Sequence, residues 1–150
     1  MELILWRHAE AEDGMPDLAR PLTQKGVKQA QRMAAWLERQ LPERCRILVS
    51  PAARAQETAR ALGRRFRTVE DIAPGATAAA VLAACDWPAA RETTLVVGHQ
   101  PTLGEVAALL VAGDEQPWSI RKGALWWLSS RQRGEAGAVL VRVVMAPDFL

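Results

Sequence analysis

The chain alternates short, continuous apolar runs with longer segments in which apolar residues recur every three or four positions. The continuous runs are typical of buried strands, and the recurring pattern is typical of helices that pack one face on a sheet. The predicted strands cover residues 3–7, 46–50, 68–72, 93–98, 124–129 and 138–144. The predicted helices cover residues 27–41, 51–63, 76–85 and 103–111.

Turn and cap residues mark several of these boundaries. A polar loop over residues 13–21 ends before Thr23, which is a predicted N-cap for the first helix. Pro51 is predicted at the first helical position of the second helix, where a missing N–H is harmless. Gly113 is predicted to end the fourth helix, and residues 131–137 are predicted to join the last two strands as a hairpin.

Strands that alternate with helices predict an α/β fold. We expect a mostly parallel sheet with helices on both faces, because crossover helices cover the faces of parallel sheets. The C-terminal hairpin should add antiparallel strands at one edge. A chain of 150 residues fits one domain spanning residues 1–150.

Charged residues close two of the predicted strands abruptly. The chain has two histidines, and His8 and His99 each follow a strand, with Arg7 beside the first. Arg54 is predicted in the first turn of the helix that follows another strand. Ligands of open α/β sheets bind beyond the carboxyl ends of the strands, and helix N-termini favour anions. These four residues therefore predict an anion site at one edge of the sheet.

Charge, hydrophobicity and cysteine positions limit the partners and the cellular location that the sequence predicts. A net charge of +2 is too small to indicate nucleic-acid binding on its own. No apolar run is long enough for a membrane span, and the first is too short for a signal peptide. Cys45 and Cys85 fit no metal or redox spacing and make no disulfide framework. We expect a cytoplasmic protein with neither nucleic acid nor membrane as a partner.

Four segments resemble motifs of the histidine phosphatase superfamily, whose fold is phosphoglycerate-mutase-like. Residues 5–9 (LWRHA) resemble its Arg-His-Gly signature, with alanine in place of the glycine. Residues 22–30 (LTQKGVKQA) resemble its Leu-Thr-x-x-Gly-x-x-Gln-Ala segment. Residues 49–59 (VSPAARAQETA) and 97–101 (VGHQP) resemble its Ser-Pro-x-x-Arg and Gly-His-x-Pro blocks. The resemblance runs in the family's order from the first residue to about residue 130.

The resemblance implies a hydrolase that forms a phosphohistidine on the enzyme. The short chain and residues 17–23 (DLARPLT) look most like the small phosphohistidine phosphatases of the SixA type. Their substrate class implies a phosphohistidine-bearing signalling or phosphotransfer protein as the partner. The resemblance also suggests that Arg20 lies near the phosphate, although Asp17 and Arg20 could equally serve the turn, and it places Gln100 among the substrate-binding residues.

The residues themselves indicate how the reaction would run. His8 is the predicted nucleophile, because a strand holds it and a neutral imidazole attacks phosphorus well. Arg7 and Arg54 would grip the phosphate oxygens, since the guanidinium fork matches phosphate and keeps its charge. His99, if protonated, adds a third cationic donor. These charges can replace a metal, and no carboxylate cluster suits magnesium, so we expect no metal and no cofactor.

The general acid has two candidates in the sequence. Glu70 and Asp71 are the only nearby candidates, and neither lies in a diagnostic motif. A site without a clearly placed general acid suits a phosphoramidate substrate, because its leaving nitrogen is basic enough for solvent to protonate. The chain has no spare segment for a cap domain, so we expect an open site, which suits a phosphohistidine on another protein. We expect the chain to act as a monomer.

Two alternatives remain open from the sequence. A small-molecule phosphomonoesterase or mutase, acting on sugar or nucleotide phosphates, would need a working acid at Glu70 or Asp71. A non-catalytic phosphate-binding module would keep the arginines without turnover. Retention of both His8 and His99 argues against the binding module.

Overall fold

A computed structural model describes residues 1–131 and 137–150 and shows one six-stranded sheet. The strand order across the sheet is β3-β2-β4-β1-β5-β6. In chain order the strands are β1 (Glu2–Arg7), β2 (Cys45–Val49), β3 (Arg67–Thr68), β4 (Thr93–Gly98), β5 (Leu125–Ser130) and β6 (Val139–Met145).

The sheet is mostly parallel, as predicted. β1 pairs parallel with β4, and β2 pairs parallel with both β4 and β3. β5 pairs antiparallel with β1 and with β6, so the C-terminal hairpin lies at one edge. Residues 132–136 of the predicted hairpin turn lie outside the described residues.

Helices cover both faces of the sheet, which confirms the predicted α/β class. They are α1 (Gln24–Gln40), α2 (Ala53–Arg60), α3 (Ala78–Ala84) and α4 (Thr102–Ala112). Alternate residues of β1 face opposite sides, as the period of two in a strand requires. Ile4 and Trp6 pack with α1 and α2, whereas Leu3 and Leu5 pack with α3 and α4. None of the helices in the described ranges has the length and hydrophobicity that a membrane span requires.

Two predicted boundaries were wrong. Helix α2 begins at Ala53, not at Pro51, because Ala52 keeps an extended backbone (φ −62°, ψ 137°) as the N-cap. The predicted strand over residues 68–72 shrinks to β3, which pairs on one side only, and a 3-10 turn follows at Glu70–Ile72. That turn buries Ile72 in the core, which an extended chain leaving the sheet edge would not do.

Two glycines allow helices to approach the loops that follow β1 and α4. A Cβ on Gly26 would overlap the carbonyl oxygen of Glu10, and one on Gly104 would overlap that of Trp118. The side chain of Thr23 caps α1 by accepting a hydrogen bond from the backbone N–H of Gly26, as predicted. Both close approaches bring helix N-termini toward the carboxyl edge of the sheet.

Candidate active site

Strand register brings the two histidines side by side at the carboxyl edge of the sheet. Arg7 pairs with Gly98 across β1 and β4, so the residues that follow them, His8 and His99, are neighbours. The backbone N–H of His8 donates to the carbonyl of Gly98 at 3.1 Å. The two imidazole rings lie with their centroids 5.1 Å apart, tilted by 53°. Ser50 follows β2 at the same edge, where its N–H donates to Val97 O at 3.1 Å.

The His8 ring is oriented by the backbone. Its Nδ1 lies 2.7 Å from the carbonyl oxygen of Ala9, which can only accept, so Nδ1 carries the proton in this contact. Nε2 then keeps its lone pair. Burial lowers the pKa of His8 to about 4; the Ala9 carbonyl opposes this shift, and the charges of Arg54 and Arg7 add to it. At neutral pH His8 is a neutral imidazole with a fixed tautomer.

Ala9 stands where the family signature has glycine, and the structure accommodates it. Its backbone lies outside the left-handed region that favours glycine, and the residue is fully buried. Its N–H donates to the hydroxyl of Thr58 at 3.0 Å, and that hydroxyl donates to the carbonyl of Arg54 at 2.7 Å. The loop after His8 is therefore bonded to the helix that carries Arg54.

His99 is held by a side chain. Its Nε2 lies 2.7 Å from the hydroxyl oxygen of Ser50, which also accepts from the N–H of Ala52 at 3.2 Å. Nδ1 is buried without a hydrogen-bond partner among the described residues. Burial, together with the charges of His8 and Arg54, lowers the pKa of His99 to about 3. His99 is neutral in the free protein.

The two arginines predicted to bind phosphate are each held by a backbone carbonyl. Arg54 is only 4% exposed. Its Nη1 donates to the backbone carbonyl of Asp17 at 2.9 Å, and its Nη2 lies 3.2 Å from the carboxylate of the same residue. Arg7 donates through Nη1 to the carbonyl of Ile120 at 2.8 Å. Each guanidinium is thus anchored at one end.

Buried side-chain nitrogens without hydrogen-bond partners concentrate at this site. Among the described residues, four buried side-chain nitrogens or oxygens lack a hydrogen-bond partner. Three of them are Arg7 Nε, Arg54 Nε and His99 Nδ1, and the fourth, Arg46 Nε, belongs to β2. An unsatisfied buried polar group costs about 1–3 kcal/mol. A bound oxyanion would supply acceptors for both arginine nitrogens, and for His99 Nδ1 once that nitrogen is protonated.

Arg20 and Asp17 form an ion pair beside Arg54. Arg20 Nε lies 3.1 Å from the Asp17 carboxylate, and Arg20 Nη1 donates to the carbonyl of Glu12 at 3.0 Å. Desolvation raises the pKa of Asp17, but the hydrogen bonds and charges of Arg54 and Arg20 outweigh it and lower that pKa overall. The charge of Arg20 also lowers the pKa of His8, so its guanidinium lies within electrostatic range of the predicted nucleophile.

The other predicted site residues lie outside this arrangement of histidines and arginines. Gln100 uses both ends of its amide within the protein: Nε2 donates to Trp118 O at 2.8 Å, and Oε1 accepts from Gly104 N at 2.7 Å. It thereby ties α4 to the following loop, and its substrate-binding role stays a prediction. Glu70 and Asp71 are exposed in the 3-10 turn, with no hydrogen bond to His8 or His99.

Three supporting residues were missed from the sequence. Ser50 orients His99, Thr58 connects Ala9 to Arg54, and Asp17 engages two arginines. Ser50 and Thr58 lie in the motif segment at residues 49–59, where a serine and a threonine in otherwise buried positions were an available signal. Asp17 left no such signal, because aspartate is common in turns.

Within the described part of the chain, no three His, Cys, Asp or Glu residues come together in a way that would hold a metal ion. Cys45 and Cys85 are both free thiols, and burial raises their pKa values to about 11 and about 12.

Comparisons with known proteins agree with this geometry. Residues 3–75 match the family model of the histidine phosphatase superfamily (branch 1). Phosphohistidine phosphatase SixA of Escherichia coli (strain K12) is 31% identical over 128 residues, which is 78% of each chain. The chain belongs to the histidine phosphatase superfamily. That membership confirms the predicted enzyme class, a hydrolase.

A further relative and two solved structures extend the comparison. A SixA homolog of Haemophilus influenzae is 34% identical over 135 residues, covering 79% of this chain and 82% of the other. A solved structure of the protein histidine phosphatase SixA complexed with tungstate has a TM-score of 0.83 at 28% identity, and the match covers 99% of both chains. A phosphoserine phosphatase of Entamoeba histolytica shares the fold alone, with a TM-score of 0.70 at 17% identity over 95% of each chain.

Proposed function

We propose that this chain removes phosphate from phosphohistidine on a signalling or phosphotransfer protein, through a covalent phosphohistidine at His8. The observation that carries the proposal is the pairing of a neutral, oriented His8 with three buried nitrogens that lack hydrogen-bond partners, two of them on the guanidinium groups of Arg7 and Arg54. A transferring phosphoryl group needs an in-line nucleophile and cationic donors at its equatorial oxygens. His8 as nucleophile and Arg7 and Arg54 as donors would meet these needs at one edge of the sheet.

The reaction has two displacements at phosphorus. In the first, Nε2 of His8 attacks, a new P–N bond forms, and the P–N bond to the substrate imidazole breaks. The leaving nitrogen takes a proton from solvent. In the second, water attacks phospho-His8, the P–N bond to His8 breaks, and inorganic phosphate leaves. Arg7, Arg54 and His99 stabilise the oxygens in both steps.

The pKa values of His8 and His99 suit these two residues to different roles. His8 stays neutral at neutral pH and can attack. His99 is also neutral in the free protein, but a dianionic phosphate beside Nδ1 would raise its pKa and favour the protonated form. His99 would then donate to an equatorial oxygen while it keeps its contact with Ser50.

The choice of leaving group rests on the carboxylates. Glu70 and Asp71 make no hydrogen bond with either histidine, and the Asp17 carboxyl has a lowered pKa and is engaged by arginines. An alcohol leaving group needs a positioned acid, whereas an imidazole does not. Two relatives are named phosphohistidine phosphatase, and one SixA structure holds tungstate, which is a tetrahedral oxyanion like phosphate.

A phosphate-release assay tests the proposal. The wild-type protein is given a phosphohistidine-bearing phosphotransfer domain, a phosphoserine peptide and a sugar phosphate, each with and without excess EDTA. We expect release from the phosphohistidine protein above the other two, unaffected by EDTA, because the arginines supply the positive charge. Acid-labile, base-stable phosphate should be trapped on the wild type and be absent from His8→Ala.

Four results would contradict this function. Preferred release from the sugar phosphate or the phosphoserine peptide would indicate a phosphomonoesterase that uses another group as its general acid. Activity lost in EDTA and restored by magnesium would show that a metal is required. Full activity in His8→Ala would remove His8 as the nucleophile, and no release from any substrate would leave a phosphate-binding module.

A further inference from the structure

We propose that a basic groove beside the active site docks an acidic surface of the phosphorylated protein substrate. The inference rests on the proposed function and adds to it where the partner binds. The groove has a volume of about 690 Å³. It lies between the start of α1 and the loop that precedes β5, and six cationic residues line it: Arg7, Lys25, Lys28, Arg32, Arg121 and Lys122.

The positive charge of the groove is largely uncompensated. Its acidic lining residues are Glu10 and Asp148. The carboxylate of Glu10 accepts a hydrogen bond from the Thr23 hydroxyl at 2.8 Å, and Asp148 lies 3.8 Å from Arg121. Six cations against two carboxylates leave an excess of four positive charges in a chain whose total is +2. Charge of this sign is therefore concentrated in the groove.

Helix α1 presents three of these cations together. Lys25, Lys28 and Arg32 are three and four positions apart, so they share one face of the helix. All three are exposed, and none makes an ion pair with any residue in the ranges 1–131 and 137–150. Like charges at this spacing repel one another, which an acidic partner would relieve.

The groove is joined to the active site through the backbone. Arg7 lines the groove and also donates to Ile120 O at 2.8 Å. Two residues after the groove-lining Arg121, the N–H of Gly123 donates to the carbonyl of His8 at 3.0 Å. A protein whose phosphohistidine reached His8 would therefore place its neighbouring surface over the groove.

An acidic protein surface fits the groove better than a small anion. Lys25, Lys28, Arg32 and Lys122 are exposed side chains, and the one buried donor without a partner at the groove is Arg7 Nε, which belongs to the active site. Exposed, flexible ammonium groups match a spread of surface carboxylates and steer association through long-range attraction. They do not form the preorganised cage that a small anion needs.

Charge reversal in the groove tests the proposal. The double variant Lys25→Glu/Lys28→Glu is assayed on a phosphotransfer domain with an acidic surface, phosphorylated on histidine with phosphoramidate, and on phosphoimidazole. We expect KM for the domain to rise at least about tenfold, since several close charge pairs turn repulsive. The rate on phosphoimidazole should stay within about twofold, which also reports that the variant is folded.

A matched variant separates the groove from overall charge. Arg60→Glu/Arg65→Glu makes the same charge change at two exposed residues near the end of α2 that do not line the groove. We expect it to keep the wild-type KM for the domain. An equal rise in KM in both double variants would overturn the groove in favour of net charge.

The remaining outcomes are decisive as well. A wild-type KM for the domain in Lys25→Glu/Lys28→Glu would remove the groove as the docking surface while the proposed function stands. A parallel loss on phosphoimidazole would place the lysines in the catalytic pocket and overturn docking. Wild-type release from phosphoimidazole but from no phosphohistidine protein would refute the proposed function and docking together.

Discussion

The active site and the basic groove are both positive, yet they hold their charge in different ways. Arg54 and His99 are each 4% exposed and are tied to Asp17 and Ser50. Lys25 and Lys28 stand exposed on α1 without an ion pair among the described residues. The contrast teaches that the site depends on where each donor points, whereas the groove depends on how much charge it carries.

The two regions differ because the active site is shielded from water and the groove is exposed to it. Interactions inside a desolvated site are strong and directional, and unpaired donors there are costly until a ligand arrives. Exposed charges are screened by solvent and salt, and their partners can rearrange. The position of each donor should therefore decide the effect of a substitution in the active site. The charge of the side chain should decide the effect of a substitution in the groove.

Replacing one arginine by lysine in each region gives the largest contrast. Arg54→Lys keeps the charge but loses the fork that holds Asp17 at one end and leaves Nε for phosphate. Loss of a preorganised donor costs on the order of 10²–10³ in rate, so we expect kcat to fall by about that factor. Arg32→Lys in the groove should leave kcat and KM within about twofold, because a lysine supplies the same exposed charge.

Steady-state kinetics on the phosphohistidine domain measures both variants, and thermal unfolding checks that each is folded. An Arg54→Lys variant with wild-type kcat would mean that Arg54 is not a phosphate clamp. A large loss in Arg32→Lys would show that the groove also reads geometry, and the comparison between the two regions would break.

The same contrast explains what the sequence could predict. The strand order along the chain, the helical faces and Thr23 as a cap follow from local patterns, and the structure has them. The positions of His8, Arg54 and His99 at one sheet edge follow from a topological rule, since residues after parallel strands meet there. Features that follow from a local repeat or from a rule of topology could therefore be predicted from the sequence.

Features that depend on a single long-range contact could not be predicted from the sequence. Asp17 meets Arg54 across 37 positions, and the groove joins α1 to a loop near residue 121. Pro51 was misplaced because the Ser50 hydroxyl bonds to the N–H of Ala52, which delays the start of α2. No periodicity encodes such contacts, because they arise only when distant segments are brought together in the fold.

The two histidines should give the active site a pH dependence, because both have pKa values below the usual histidine value of about 6.5. His8 must be neutral to attack, and its pKa is about 4, so kcat/KM should rise with pH through about that value. His99 should be cationic with phosphate bound, so kcat should fall as it deprotonates at higher pH.

The His99→Asn variant tests that assignment. It should keep the acid limb, which belongs to His8, and lose the alkaline limb, where a one-proton step changes the rate about tenfold per pH unit. Both histidines have folded-state pKa values below the unfolded value of about 6.5, so folding stability should decline as pH falls from there toward about 4. Unfolding is therefore monitored at each pH. An unchanged alkaline limb in His99→Asn would assign it to another group.

Ionic strength should give the smallest effect and the cleanest division between the two regions. The Debye length is about 10 Å at 0.1 M salt and shortens as salt is added, so exposed charges lose their reach first. We expect KM for the phosphohistidine domain to rise several-fold between low and moderate salt. The rate on phosphoimidazole should change little, because Arg54 and His99 act at contact distance within a buried site.

The groove variant turns this into a difference measurement. In Lys25→Glu/Lys28→Glu the attraction that salt screens has been removed, so the dependence of KM on salt should flatten or change sign, while Arg60→Glu/Arg65→Glu should retain the wild-type slope. If all three proteins show the same slope, the salt effect arises elsewhere on the surface. If phosphoimidazole turnover falls with salt as steeply as turnover of the domain, added anions are competing at the Arg7 and Arg54 donors, and the screening belongs to the active site.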